Sequence, residues 1–268
     1  MNWSNQLCLL TGASGGIGQA IAKVLAESGV RMILQGRDEQ SLQRLADSLP
    51  GIHHVLVGDI GSSAGRAALI SELKRFPAIS MLINNAGISP FGELQHVSAE
   101  ELEQTIQTNL LAPMLLTRAL LPQLQKRSEA YIVNVGSAFG SIGFACQSAY
   151  CASKFGLRGF SEALYRELAG SAVKVFYLAP RATQTAINSD EVVAMNQALG
   201  NQVDSPQKVA QALKAQLLAS QPRAFIGFPE KLFVRLNGAF PSLVDNALIK
   251  KLPIIKKFAA QHAKEILV

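Results

Sequence analysis

Gln6-Leu7-Cys8-Leu9-Leu10-Thr11-Gly12-Ala13-Ser14-Gly15-Gly16-Ile17-Gly18 decides the fold of this chain. An apolar run over 6–10 enters a glycine-rich turn, and beyond it Ala20, Ile21, Val24 and Leu25 recur with helical period. The stretch reads as strand, glycine turn, helix. Glycines let the backbone approach a pyrophosphate closely, and the helix that follows turns unpaired N–H groups and a positive dipole end toward the anion. The spacing Gly12, Gly16, Gly18 differs from the G-x-G-x-x-G fingerprint of the ordinary dinucleotide fold. Alone, such a turn is as often structural as functional; its place at the head of an alternating chain favours binding.

The alternation continues to the end of the main body. Strands are expected at 30–34, 54–57, 81–83, 131–135, 173–178 and 224–226, and helices at 39–49 after an Asp38 N-cap, 64–75, 99–124 with a bend at Pro113, through Tyr150 and Lys154 to 168, and 206–218. Strands separated by helices imply an α/β fold: a doubly wound, Rossmann-like parallel sheet of about seven strands with helices on both faces and ligands at the strands' carboxyl ends. The motifs Gly58-Asp59-Ile60 and Asn84-Asn85-Ala86-Gly87 fall at such ends.

A chain of 268 residues without repeat, linker or low-complexity segment suits one domain, 1–228, with a basic amphipathic extension of helical pieces, 229–268, packed on it. The amino terminus lacks the basic and apolar regions of a signal peptide, and no apolar run reaches the roughly 18 residues of a spanning helix. Three cysteines, Cys8, Cys146 and Cys151, are an odd count without metal-ligand spacing. The expectation is a cytoplasmic protein with neither disulfide nor metal. The formal charge is +6. Beyond 221, Arg223, Lys231, Arg235, Lys250, Lys251, Lys256, Lys257 and Lys264 face only Glu230, Asp245 and Glu265, so +5 of that excess sits in the tail. The near-neutral body argues against a nucleic-acid-binding fold.

On a helix Tyr150 and Lys154 stand at i and i+4, sharing a face. A phenol titrates at about 10, and a nearby cation draws it toward neutrality, where a proton donor is most useful. Together, Thr11-Gly12-x3-Gly16-x-Gly18, Asn84-Asn85-Ala86-Gly87, Asn109, Ser137 and Tyr150-x3-Lys154 resemble the short-chain dehydrogenase/reductase family in its single-domain form, over about 6–228. The resemblance implies that Tyr150 donates a proton to a substrate carbonyl as hydride arrives, that Ser137 polarises the same oxygen, that Lys154 lowers the tyrosine pKa and binds the nicotinamide ribose, and that Asn109 holds a water connecting Lys154 to solvent. It implies cofactor contacts at Gly12, Ser14, Gly16, Ile17, Gly18, Asp59, Ile60, Asn85, Ala86, Gly87, Tyr150, Lys154, Pro180, Thr183 and Thr185, with Thr185 on the nicotinamide carboxamide. The family's acidic position after the second strand is Gly36, followed by Arg37, which resembles the NADP-preferring members because guanidinium pairs with phosphate. The competing reading leaves Arg37 in solvent and gives the ribose to Asp38.

The resulting expectation is an NADPH-dependent oxidoreductase acting on a ketone, aldehyde or 3-oxoacyl-type apolar substrate, or oxidising the alcohol in reverse. The alternative is a catalytically silent NADPH-binding sensor or scaffold, which would be expected to have lost Tyr150, Lys154 or Ser137. The pocket wall is expected from Ile88, Phe91, Ala138, Phe139, Phe144, Ala145 and Cys146, with 186–203 as a mobile lid. Arg181 stands where the family has glycine, and either turns to solvent or lines the entrance for an anionic substrate; the second is slightly favoured. The tail is expected either to cover the substrate mouth or a partner subunit, or to lie on a membrane surface as a peripheral contact. The family resemblance also implies a homodimer or homotetramer.

Overall fold

The computed structural model describes residues 2–266. In chain order its main elements are β1 (Leu7–Thr11), α1 (Gly16–Ala26), β2 (Arg31–Gly36), α2 (Glu39–Ser48), β3 (His54–Val57), α3 (Ser63–Leu73), β4 (Met81–Asn84), α4 (Ala99–Ile106), α5 (Ala112–Leu124), β5 (Ala130–Val135), α6 (Ser148–Glu167), β6 (Val173–Ala179), α7 (Asp190–Ala198), α8 (Pro206–Leu218), β7 (Arg223–Phe225), α9 (Glu230–Ala239), α10 (Pro241–Ile249) and α11 (Leu252–Ile266). The seven strands form one sheet in the order β3-β2-β1-β4-β5-β6-β7, all parallel. The order reverses between β1 and β4, and the crevice at their carboxyl ends is where such sheets take ligands.

Alternation along the strands divides the core into two layers. Cys8 and Leu10 of β1, with Met32 and Leu34 of β2, pack beneath α1, α2 and α8. Leu7 and Leu9, with Ile33, Leu82 and Ile132, pack beneath α3, α5 and α6. All five β1 residues are buried, as a strand covered on both faces requires.

The expected helix over 99–124 is divided. α4 gives way at 107–111 to one wider π turn, closed by the Ala112 N–H on the Gln107 carbonyl, before α5 begins. Pro113 brings no N–H to continue the α ladder, so the widening falls just before it. A π turn displaces one face of a helix relative to the next, and the residue it carries inward is Asn109, fully buried.

The tail folds as α9, α10 and α11. α11 lies along α7, burying Ile255 and Ala259 with Phe91, Phe144, Cys151, Val192 and Met195. Val234 and Val244 pack on Ile142. No helix among the described residues is long and apolar enough to cross a membrane. The outermost residues of the two expected segments, Met1, Leu267 and Val268, lie outside the described residues.

Candidate active site

At the end of β1 the chain enters Gly12 with φ +63, and a Cβ there would come within 2.7 Å of the Ala86 Cα. A side chain at Gly18 would collide with the Gly12 carbonyl. The turn therefore packs directly on the β4 exit loop, and hydrogen bonds hold it there. Thr11 Oγ1 accepts from the Asn85 and Ala86 backbone N–H groups at 3.0 and 3.1 Å, while Asn85 Nδ2 donates to the Thr11 and Gly12 carbonyls at 3.0 and 3.1 Å. Asn85 thus shapes the turn with its side chain.

No side chain caps α1 at Gly15, so its first N–H groups point into the groove. That groove, about 230 Å³, is lined by Gly12, Ser14, Gly16, Ile17, Gly18, Gly36, Arg37, Asp59, Ile60, Ala86 and Gly87. Arg37 is exposed at its rim. Asp59 turns Oδ1 back to the Gly61 N–H at 2.9 Å, and the Ile60 carbonyl accepts from Arg66 at 2.8 Å. Unpaired helix donors, a turn of bare glycines at Gly12, Gly16 and Gly18 and a cation at the rim fit a phosphorylated dinucleotide.

The groove opens into a larger cavity of about 420 Å³, the two sharing Ile17, Asn85, Gly87, Thr185 and Ile187. β5 delivers Ser137 to the larger cavity, and α6 delivers Tyr150 and Lys154. Lys154 is 4% exposed, donates from Nζ to the Val135 carbonyl at 3.0 Å and stands 5.7 Å from the Tyr150 ring centre. Burial lowers its ammonium to about 8. Burial also pushes the Tyr150 phenol up to about 12, against the hydrogen bond with Ser137, which favours the phenolate. This corrects the expectation that Lys154 draws the phenol toward neutrality: the ammonium is itself desolvated and directed at Val135. Asn109 is locked by the Ile88 N–H on Oδ1 at 2.9 Å, and by Nδ2 on the Ile88 carbonyl at 2.8 Å and Ser153 Oγ at 3.0 Å. A Cβ at Gly87 would lie 3.3 Å from Asn109 Oδ1 and 3.6 Å from Lys154 Nζ, so a bare backbone separates the amide from the ammonium.

The loop after β6 carries Pro180, Thr183 and Thr185 to the same cavity. The Thr183 hydroxyl is spent on the Arg181 carbonyl at 2.9 Å, whereas the Thr185 methyl lies against Gly16, over the amino end of α1. Arg181 corrects the entrance expectation. Although it borders the cavity, its guanidinium is held by Asp204, Nε to Oδ2 at 3.0 Å and Nη2 to Oδ1 at 2.8 Å, and by Glu230 at 3.1 Å, with the Phe228 carbonyl at 3.3 Å. Burial pushes the Asp204 carboxyl up, but hydrogen bonds from Arg181 and Lys208 outweigh it and hold the group below its ordinary value. A cation neutralised twice has no charge left for a substrate.

The expected wall is corrected as well. Ala138, Phe139 and Phe144 line the larger cavity and Ile88 the groove. Phe91 is buried beneath α7 and α11, and Ala145 and Cys146 border neither space. Their places are taken by Gln147 and by tail residues Phe233, Val244, Leu248 and Lys251. The sequence analysis quoted Asn84 only as part of its loop motif and missed Asn134: Asn84 Nδ2 donates to Asn134 Oδ1 at 2.8 Å, and Asn134 Nδ2 to Ser161 Oγ at 2.8 Å, tying β4 and β5 to α6. The available signal was an asparagine on each of two otherwise apolar strands.

The family model described as short chain dehydrogenase matches residues 6–196. The 3-oxoacyl-acyl-carrier-protein reductase FabG of Escherichia coli strain K12 is 32% identical over 232 residues, which cover 84% of this chain and 94% of that one. The ketoacyl reductase HetN of a Nostoc species is 33% identical over 210 residues, 76% of this chain and 72% of that one. Among solved structures, a short-chain dehydrogenase from Sphingobium yanoikuyae in complex with NADPH superposes with a TM-score of 0.77 at 28% identity, covering 90% of this chain and 95% of its own. A metagenomic short-chain oxidoreductase in complex with NADP gives a TM-score of 0.71 at 30% identity, covering 84% and 98%.

Proposed function

Because this chain belongs to the short-chain dehydrogenase/reductase family, we propose that it is an NADPH-dependent reductase of ketones, aldehydes or 3-oxoacyl-type apolar carbonyl compounds. The observation that carries this reading is the continuity of two spaces: a glycine-walled groove suited to a dinucleotide opens onto a cavity bearing Ser137, Tyr150 and Lys154. NADPH in the groove supplies the hydride. Arg37 favours the ribose phosphate by charge, and Gly36 puts no carboxylate in its way.

Tyr150, protonated throughout the physiological range, gives its phenolic proton to the carbonyl oxygen, so the carbonyl becomes an alcohol. Ser137 polarises that oxygen, and because Ser137 and Tyr150 border the same cavity the two hydroxyls share one target. Stabilisation there counts most as alkoxide charge develops. Lys154 holds a positive charge under the phenol, and Asn109 keeps Ile88 and Ser153 in register around it. The apolar wall excludes water and suits a hydrocarbon-rich substrate, in line with relatives named as 3-oxoacyl and ketoacyl reductases.

The test is a carbonyl panel assayed with NADPH and NADH. We expect reduction of at least one member by wild type, none by Tyr150→Phe with NADPH binding retained, and a fall of about tenfold or more in the NADPH-over-NADH ratio of kcat/KM in Arg37→Ala, the scale of a lost charge-assisted contact. Tight NADPH binding with no substrate turned over would instead favour the sensor or scaffold reading.

The finer partner readings rest on surfaces. Ile106, Met114, Phe155 and Tyr165, exposed on α4, α5 and α6, suit association into a homodimer or homotetramer. On the tail, exposed Leu232, Phe240, Leu243 and Ile249 beside Lys231, Arg235 and Lys250 suit peripheral contact with anionic lipid; partitioning onto anionic vesicles that ignores added salt would remove that reading. Cytoplasmic placement rests on the three cysteines, of which Cys8 and Cys151 are buried.

A further inference from the structure

We propose that Lys251 forms an anion-recognising subsite, so that the preferred substrate is an apolar carbonyl compound bearing a carboxylate or phosphate. The inference rests on reading the cavity as a carbonyl-reducing site and names the substrate class for it. Four ionised side chains border the cavity: Lys154, Arg181, Glu230 and Lys251. Lys154 serves the reacting end, bound to the Val135 carbonyl. Arg181 and Glu230 pair with each other, inside a set that Asp204 and Lys208 close as two cations and two carboxylates. Two cavity cations, Lys154 and Lys251, thus have no carboxylate partner among the described residues, and of these only Lys251 is not engaged beside Tyr150.

Its setting makes that charge significant. Lys251 is half-buried in the turn between α10 and α11, where the tail's contribution to the cavity wall is otherwise Phe233, Val244, Ala247 and Leu248. Lysine stems commonly lie on apolar surface with the head free in water. An anion entering the cavity would find in that head a charge-assisted hydrogen-bond partner. A second polar group, the Gln147 amide, also borders the cavity one helical turn before Tyr150; it is 5% exposed, and its side chain has no hydrogen-bond partner among the described residues. The cavity thus offers a neutral donor near the reacting carbonyl and a cation on the wall built by the tail. An oxo acid presents groups of that kind: a carbonyl, a hydrocarbon stretch and an anion.

The experiment compares a medium-chain oxo acid with its methyl ester. kcat/KM with NADPH is measured for wild type, Lys251→Met and Lys251→Arg, and calorimetric binding of decanoate is measured on the NADP-loaded protein. We expect wild type to prefer the acid. That preference should fall about tenfold in Lys251→Met, mainly through KM, as for one charge-assisted contact, and return in Lys251→Arg. Decanoate binding should weaken with added salt and be lost in Lys251→Met. An acid-over-ester ratio and a decanoate affinity that are both the same in wild type and Lys251→Met overturn the proposal. If wild type reduces neither compound, the reductase reading fails, while loss of decanoate binding in Lys251→Met still supports the anion subsite.

Discussion

At Lys154 catalysis and stability pull in opposite directions. The site needs a charge beneath Tyr150, yet burial lowers the ammonium from its ordinary 10.5 to about 8. A group whose folded pKa is depressed contributes stability above its unfolded value and loses it as pH falls through the folded one. The charged lysine therefore destabilises the fold most below pH 8, and the penalty fades between about 8 and 10.5. Lys154→Met removes it. We expect the variant to be inactive and more stable than wild type at pH 7, by up to about 3 kcal/mol, with the difference shrinking as pH approaches 10.5. Denaturant titration at several pH values checks this; a gap independent of pH would show that the charge is not what destabilises. The sequence revealed Lys154 by its spacing from Tyr150, but its burial and its bond to Val135 depend on how α6 lies across β5.

Among elements, the tail and the loop after β6 are joined by Arg181. Its bonds to Asp204, Glu230 and the Phe228 carbonyl connect the chain before α8, the start of α9 and the loop bearing Thr183 and Thr185. Gly227 makes room: a Cβ there would stand 2.7 Å from Arg181 Cδ. Breaking one side of a buried ion pair costs about 3–5 kcal/mol because the partner charge is stranded. Arg181→Met should thus lower the unfolding midpoint by several degrees and raise substrate KM as the tail loosens from the cavity, and adding Asp204→Asn should recover part of the loss. Thermal unfolding of the single and double variants decides it; no recovery in the double variant would mean that the charge pair is not the fastening. Arginine replacing glycine was visible in the sequence as an anomaly. Its meaning was not, because Asp204 and Glu230 lie 23 and 49 residues away.

For the whole molecule, the layered sheet leaves apolar side chains outside the core. Met114 and Phe155 are 37% and 43% exposed on adjacent outer helices, and a surface of this kind is expected to pair with another copy. We expect sedimentation as a dimer or larger assembly, and a shift toward monomer in Phe155→Asp; a monomeric wild type would refute the pairing. The sequence by itself determined the order of the strands along the chain, the parallel sheet and the glycine turn, because periodicity and turn chemistry are local properties of the chain, and its resemblance to the family singled out Ser137, Tyr150 and Lys154. Only the tertiary structure decided that Asn109 sits on a π turn, that Arg181 is neutralised, that burial holds the Tyr150 phenol near 12, and that the tail walls the cavity with Lys251. Each of these depends on which distant groups share a low-dielectric space, and that follows from packing.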